Sequence, residues 1–424
     1  MEVFERIENA GGRILIVGGA VRDRYLGLEP KDIDIEVYGL SYEEILGALK
    51  GLKCDTVGKS FGIIKCGGFD LSIPRTENKI GVGHKNFEIE LNHKLTPKEA
   101  AMRRDFTMNS MYETLRGEII DEFGGREDLN NGVLRHTSSA FAEDPLRVLR
   151  GMQFCGRFNL VGHPSTLELC RSMIGEFESL SKDRLWAEWA KLFSSNKPSM
   201  GLKFLKDSGW IKCFPALDLE IPQDPIWHPE GNVWVHTLYV CDEAARIARE
   251  KNLDPIILVG AALLHDVGKA ITTFEKNGRW VSPGHAEKGV SIARDFLESI
   301  KCPNNIANQI CILVKEHMAH INLTEKSVKR LKIRLGPVSM NMWGAIVESD
   351  HSGRPPLPKA NPSEKWVEIG NSLSVEPLLK GRHLISLGVS PGPEMGKILN
   401  EAYEIQLEKC WDFDMLMNWA KNRR

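Results

Sequence analysis

The sequence predicts an α+β head followed by an all-α body in two parts. Three observations predict it. Apolar β-branched runs closed by glycine turns are confined to the first stretch of the chain. From Phe141 onward strand signals vanish and long amphipathic patterns take over. The stretch Pro215 to Pro229 is dense in proline and separates two helical parts. The expected segments are a head at 1–137, a helical neck at 138–215, a second helical domain at 228–355 and a helical tail at 356–424.

Taken in order, residues 13–17 (RILIV) are an apolar run ending at Gly18-Gly19, which predicts a strand and a tight turn. VRDRYLG has helical spacing and stops at Gly27. Asp32 to Tyr38 alternates charged and apolar residues, as a second strand does. Residues 62–66 and 69–73 predict a hairpin around Gly67-Gly68. Thr76 to Arg103 has few strong elements and reads as a long mobile loop, of the kind that often carries function. Helices are expected at 143–157, 164–174, 181–194 and 199–209. Beyond the proline stretch they are expected at 235–250, 255–265, 285–299, 304–318, 362–374 and 397–421.

Composition excludes some classes. The net charge is −2, so no global basic excess advertises nucleic acid, and such a role must rest on local clusters. These are Arg103-Arg104, the run Lys326, Lys329, Arg330, Lys332 and Arg334, and the tail Lys421, Arg423 and Arg424; each alone reads as a solvated face. Nine cysteines without a CxxC pair predict reduced thiols rather than a disulfide framework. The N-terminus MEVFERIENAGG is unlike a signal peptide, and no uninterrupted apolar run approaches the ~20 residues of a membrane span. A cytoplasmic protein with no membrane association is expected. The sequence carries no signal for oligomeric state.

The first constellation is Asp32-Ile33-Asp34. A period of two puts both carboxylates on one face of a strand and Ile33 on the other. Alone, the pair fits either a divalent-metal site or a solvent-facing edge strand. Its context favours the metal. Gly18-Gly19 lets backbone N–H groups approach a triphosphate, and Arg22 follows in the next turn with a phosphate fork. Hard oxygen ligands suit Mg2+.

This segment, LIVGGAVRDRYLGLEPKDIDIEVYG, resembles the first motif of the class II CCA-adding tRNA nucleotidyltransferases and of the related bacterial poly(A) polymerases. RRDFTMNSM (103–111), IIDEFGGREDL (119–129), EDPLRVLRGMQF (143–154) and LSKDRLWAEW (180–189) resemble the next four motifs, in order. The resemblance implies a polymerase-beta-like mixed sheet and template-independent addition of CCA to tRNA 3′ ends from CTP and ATP. It implies that Asp32 and Asp34 hold Mg2+, and that Gly19, Arg22, Arg104, Asp105, Asn109 and Arg150 bind the nucleotide. Asp144 and Arg147 would read the base from one helix face, meeting the amino donor and ring-nitrogen acceptor shared by cytosine and adenine. Gln153 stands where the family often has another arginine, and Arg157 is the nearest substitute. Asp121, Gly125 and Asp128 read as turn or hinge residues, and Asp70 as a candidate third carboxylate. The loop from Thr76 is not short, which favours full CCA addition. A-adding, CC-adding and poly(A)-adding relatives share the motifs and stay open as alternatives. A tRNA partner with near-neutral net charge predicts a basic strip on the inner surface of the body.

The second constellation is Leu264-His265-Asp266-Val267-Gly268-Lys269, with His236 before it and His285, His317 and Asp350 after it. Imidazole and carboxylate ligands suit a divalent transition metal such as Ni2+ or Mn2+ that activates water against a phosphoester. The pattern resembles the HD-domain phosphohydrolases. It implies ligands His236, His265, Asp266 and Asp350, with His285 and His317 as a second position. The implied activities are 2′,3′-cyclic phosphodiesterase, 2′-nucleotidase and phosphatase. His320 and His351 read as surface residues.

Overall fold

A computed structural model describes residues 2–58, 62–79, 87–374, 376–409 and 411–423. The chain divides into two compact units, Met1–Pro215 and Ala216–Arg424.

The first unit opens with α1 (Glu2–Asn9), β1 (Arg13–Val17), α2 (Gly19–Tyr25), β2 (Asp34–Tyr38) and α3 (Tyr42–Ala48). Strands β3 (Cys54–Gly58), β4 (Ile63–Cys66) and β5 (Phe69–Ser72) follow, then β6 (Arg75–Lys79), β7 (Phe87–Leu91), α4 (Pro97–Ala101), β8 (Tyr112–Thr114) and β9 (Ile119–Ile120). Seven of the strands form one mixed sheet in the order β3-β4-β5-β2-β1-β8-β9, with β2 parallel to β5. Alternation along β2 sorts its side chains. Ile35 and Val37 join Val3, Ile7 and Ile45 in the core, while Asp34, Glu36 and Tyr38 share the other face. The expected hairpin is β4/β5, with Gly67 and Gly68 both at positive φ (60° and 85°).

Three expectations fail in this unit. Asp32 precedes β2 instead of lying on it, and Ile33 is only partly buried against the core. The supposed loop from Thr76 to Arg103 contains the antiparallel pair β6/β7 and the helix α4; residues 80–86 lie outside the described ones. The strand character of RTENK is hidden because it carries no apolar alternation. The helix was legible in Thr96-Pro97-Lys98-Glu99, a capping box with proline at the helix start. Finally, Cys54 and Cys66 face each other across β3/β4 and are joined in a disulfide, 4.4 Å between Cα atoms, so the thiols are not all reduced. No local motif betrays a pair that only strand register brings together.

The head ends with α5 (Gly125–Asn130) and β10 (Val133–Leu134), and the neck contains α6 (Leu146–Phe158), β11 (Val161–Gly162), α7 (Pro164–Ser172), α8 (Lys182–Phe193) and α9 (Pro198–Asp207). Trp189, Phe193, Phe204 and Leu205 fill its core. A Cβ on Gly201 would lie 2.4 Å from the Met152 carbonyl oxygen, so α9 meets α6 backbone to backbone. This contact fixes α6, whose early turns carry Arg147 and Arg150.

The second unit contains α10 (Val233–Glu250), α11 (Pro255–Leu264), α12 (Lys269–Thr272), β12 (Phe274–Lys276), β13 (Arg279–Val281), α13 (His285–Ser299), α14 (Asn304–Glu316), α15 (Glu325–Leu335), α16 (Met340–Ser352) and α17 (Glu364–Ser372). It ends with α18 (Gly381–Ser386), α19 (Pro393–Lys409) and α20 (Phe413–Lys421), which share a small core of Leu384, Met395, Ile398 and Leu416. The single helix expected at 397–421 is therefore two, separated at Asp412, which caps α20 through the Met415 N–H. The stretch Pro255–Thr272 has a mean hydropathy of 1.4 and by length and composition passes for a membrane span. It is 78% buried inside the protein, as a core segment is.

Candidate active sites

The first site is a cleft of about 740 Å³ in the first unit. Gly18, Gly19, Arg22, Asp34, Arg104, Asp105, Asn109, Asp144, Arg147 and Arg150 all line it. Of the residues expected in the head site, Asp32 and the candidate third carboxylate Asp70 are not in the lining; both lie close enough to Asp34 to act on its charge. Nine cationic side chains and four carboxylates face the cleft, so it favours anions although the whole chain does not.

Asp34 sits at the acidic end. Partial burial pushes its carboxyl up, and the negative charges of Asp70, Asp32 and Glu36 add to this against Arg104. Asp70 is opposite Asp34 in the parallel β2/β5 register and also pairs with Lys65 at 2.8 Å. Glu36 was missed by the sequence reading, although a period of two from Asp34 points to it. It binds Arg104 Nη2 at 2.8 Å and accepts from the Tyr38 hydroxyl at 2.5 Å.

The basic wall is held by a relay of hydrogen bonds. Arg150 donates to Asp105 Oδ2 (2.8 Å), Asn109 Nδ2 donates to Asp105 Oδ1 (2.8 Å), and Arg22 Nη1 donates to Asn109 Oδ1 (2.5 Å). Arg104 Nη1 donates to the Asn109 carbonyl at 3.0 Å. The relay ties α6 to the 104–109 segment and to α2, with Arg22 buried over the Phe158 ring at 4.6 Å.

Burial alone would raise Asp105, but the Arg150 charge and the bonds from Asn109 and the Phe106 N–H hold it below the usual carboxylate range. A depressed carboxylate contributes stability that is complete above its unfolded value near ~4 and is lost as pH falls through the lower folded value. Asp105→Asn should therefore cost about 2 kcal/mol at neutral pH. The gap from wild type in urea unfolding should close as pH is lowered toward ~3. A gap that stays constant with pH would show that the Asp105 charge does not matter to the fold.

Asp144 is not on a helix. Its backbone is extended (φ −126°, ψ 106°), and its Oδ1 accepts from the Leu146 N–H at 3.1 Å, just ahead of α6. The i, i+3 relation to Arg147 is carried by the backbone, the Asp144 carbonyl accepting from the Arg147 N–H at 3.0 Å. Asp144 Oδ2 pairs with Arg184 Nη2 at 2.7 Å, and Arg147 is held by the carbonyls of Ala140 (2.6 Å) and Arg103 (2.8 Å). Arg184 lies in the fifth motif, where it had been given no role. Gln153 and Arg157 also line the cleft, joined Arg157 Nη1 to Gln153 Oε1 at 3.4 Å. Asp121 accepts from the Gly125 and Arg126 N–H groups, and Asp128 accepts from Thr107 Oγ1 at 2.7 Å; both serve the turn.

The second site is a buried pocket in the second unit. His236, His265, Asp266, His285, His317 and Asp350 all converge there. His265, His285 and His317 each donate Nδ1–H to a backbone carbonyl (Ala262, Ser282 and Val314, at 2.7–2.8 Å). A carbonyl only accepts, so each Nε2 presents a lone pair when the ring is neutral. Yet Nε2 of His265 lies 3.3 Å from Nε2 of His236, and Nε2 of His285 lies 3.2 Å from Nε2 of His317. Asp350 Oδ1 is 3.1 Å from His236 Nε2. Nitrogen and carboxylate donors crowded this closely need a shared proton or a cation between them, so the donor set fits bound metal.

Among the described residues three groups of ligand atoms are present: His228, Glu230 and His236; His236, His265 and Asp266; and Asp266, His285 and His317. Asp266 belongs to the last two. Its Oδ2 faces His265 (3.2 Å) and its Oδ1 faces His285 (3.3 Å). Lys269 Nζ lies 2.7 Å from Asp266 and Arg354 Nη2 lies 2.5 Å from Asp350. Burial together with the neighbouring His265 and His285 pushes His317 down to about 3, so it is a neutral donor throughout the physiological range. Gly268 makes the approach possible, since a Cβ there would lie 2.0 Å from the His285 carbonyl oxygen.

The sequence reading missed several groups here. His320 and His351 are not surface residues; they are half-buried with Nε2 atoms 3.0 Å apart, beside Asp350. The proline-rich stretch is more than a connector. Gln223 accepts from Lys269 Nζ (2.6 Å) and Asp224 binds Arg279 (2.7 Å); directly after the stretch, Glu230 binds His236 Nδ1 (2.8 Å).

Comparison with known proteins places the chain in a family. Residues 14–135 match the poly A polymerase head domain, 163–220 the probable RNA and SrmB-binding site of polymerase A, and 233–349 the HD domain. The class is thus a nucleotidyltransferase with an appended HD domain. The chain is 31% identical over 403 residues to the multifunctional CCA protein of Aliivibrio salmonicida, covering 90% of this chain and 95% of the relative. It is 33% identical over 410 residues to that of Pseudomonas fluorescens (strain Pf-5), covering 91% and 96%. The chain belongs to the multifunctional CCA protein family. The fold is shared with the Thermotoga maritima CCA-adding enzyme complexed with tRNA (TM-score 0.62, 20% identity, 99% of this chain and 93% of that one). It is shared too with the Bacillus stearothermophilus CCA-adding enzyme in complex with CTP (TM-score 0.64, 19% identity, 99% and 95%).

Proposed function

We propose that this chain adds CCA to the 3′ end of tRNA from CTP and ATP, and that its HD domain hydrolyses phosphoesters that block such an end. The observation that carries the first part is the single cleft joining the Asp34 carboxylates, the Gly18-Gly19 turn and the Asp144, Arg147 and Arg184 cluster. Asp34 and Asp32, with Asp70 beside them, are oxygen donors suited to Mg2+, which when bound activates the 3′ hydroxyl and stabilises the pyrophosphate. Arg22, Arg104 and Arg150 face the triphosphate, positioned by Asp105 and Asn109. The assignment keeps a head at 1–137, a neck at 138–215, an HD domain at 228–355 and a tail at 356–424. A tRNA substrate supports a cytoplasmic location.

Asp144 and Arg147 supply an acceptor and a donor to the base, and Arg184 sets the rotamer of Asp144. Losing this charged hydrogen bond is worth about 2 kcal/mol, or roughly 30-fold. Arg184→Ala should therefore lower the preference for CTP and ATP over UTP and GTP by about that factor in kcat/KM. Unchanged discrimination would remove Arg184 from base reading.

The decisive assay incubates the protein with Mg2+ and a tRNA lacking its last three nucleotides, with CTP and ATP singly and together. Addition of CC from CTP and then one A supports the proposal. A long A tract, or A alone on a CC end, supports a poly(A)-adding or A-adding enzyme instead, and CC alone a CC-adding one. For the HD domain, hydrolysis of 2′,3′-cyclic AMP, 2′-AMP and a plain phosphomonoester is measured with Ni2+ or Mn2+ supplied.

A further inference from the structure

We infer that Glu230 is a positioning residue that makes the metal position at His236 and His265 the tighter of two in the HD pocket. The inference rests on the proposal that this pocket holds metal.

The four histidines of the pocket are not oriented alike. Three of them donate Nδ1–H to backbone carbonyls. His236 Nδ1 lies 2.8 Å from Glu230 Oε1, with the Gly353 carbonyl farther away at 3.3 Å. A carboxylate is a stronger acceptor than a carbonyl. It draws the Nδ1 proton toward itself and raises the donor strength of Nε2, the atom turned to the pocket. Of the four imidazoles, His236 is therefore the one whose Nε2 is buttressed by a carboxylate at Nδ1.

Glu230 is built for this contact. Its side chain is wholly buried, and Oε1 also accepts from His228 Nδ1 at 2.9 Å. His228 packs edge-on against His236, with ring centroids 4.7 Å apart. Among the described residues Oε2 has no hydrogen-bond partner, so the two imidazoles at Oε1, with a backbone N–H and the nearby Arg354 charge, offset the cost of burying this carboxylate. A cation on the far side of His236 would offset it further. Ligand number points the same way, because Asp350 Oδ1, which also holds Arg354, adds an oxygen donor 3.1 Å from His236 Nε2. An added oxygen donor and a buttressed imidazole both favour the first position.

The test uses the full-length protein stripped of metal and titrated with Co2+, with excess Mg2+ present to occupy oxygen-only sites. Visible absorption reports histidine-bound Co2+, and calorimetry gives the stoichiometry. The wild type should bind two Co2+ in unequal steps. Glu230→Gln should weaken the first step by about 10–100-fold, merging it with the second. Glu230→Asp, which keeps the charge, should fall between the two and serves as the reporter if the glutamine variant does not fold. Two unequal steps unchanged in Glu230→Gln, or equal steps in the wild type, would overturn the inference. A wild type that binds no Co2+ would overturn the metal reading of the pocket as well.

Discussion

Asp34→Asn should abolish nucleotide addition, by at least ~10³-fold in kcat, equivalent to about 4 kcal/mol of transition-state stabilisation. The side chain projects from β2 into the cleft, on the face shared with Glu36 and Tyr38 and opposite Asp70 on β5. Its carboxyl is pushed up by burial and by three neighbouring negative charges, a cost that bound Mg2+ reverses. Asparagine keeps the shape and removes the charge that Mg2+ requires. The fold should not suffer. Relief of like-charge repulsion predicts an unchanged or slightly higher melting temperature without Mg2+, and a smaller rise when Mg2+ is added. Asp70→Asn separates two roles for the third carboxylate. Loss comparable to Asp34→Asn makes Asp70 a metal ligand, whereas loss below about tenfold leaves it a partner of Lys65. Retention of more than a few per cent of wild-type addition by Asp34→Asn would remove Asp34 from the chemistry.

The boundary between what the sequence shows and what it hides follows the range of the interactions. The Gly18-Gly19 turn, the first strand and the β4/β5 hairpin were legible because glycine conformation and β alternation are local. The HD pocket was legible because its ligands are chemically unusual residues for buried helices. Arg184 was hidden because its partner Asp144 is 40 residues away and no local rule links them. Glu230 was hidden because it directly follows a proline-rich stretch that reads as a connector, and only packing places it against His236. The second-unit hairpin was in reach: Asn277-Gly278, both at positive φ, is a strong turn signal inside FEKNGRW. Helix α16 was overlooked because it is buried nearly all round and lacks an amphipathic stripe, yet it carries Asp350. His320 and His351 read as surface residues, and only packing of the segment after α14 against α16 makes them a pair.

Asp266→Asn should have the second large effect, removing phosphoester hydrolysis by ~10³-fold or more while CCA addition, which resides in the other unit, continues. Asp266 joins the His236/His265 group to the His285/His317 group, with Oδ2 toward His265 and Lys269 and Oδ1 toward His285 and His317. Asparagine withdraws the shared charge from both groups, so the variant should bind neither metal well. His317→Ala removes a ligand from one group only and should keep one Co2+ per chain. The contrast is what gives the shared carboxylate its meaning. Two independent sites would each lose metal separately, whereas a bridging carboxylate makes one substitution act on both. Stability supplies a second readout. Metal bound to the native state raises the melting temperature by mass action, so the wild type should gain stability on adding Ni2+ or Mn2+ and lose it with a chelator. Asp266→Asn should show neither response. Its metal-free form should also be less stable than the metal-free wild type by about 3 kcal/mol, because Lys269 is left buried without its carboxylate. If the variant still took up two metal ions, the bridge would be an accident of packing and the hydrolytic centre would have to be sought elsewhere in the unit.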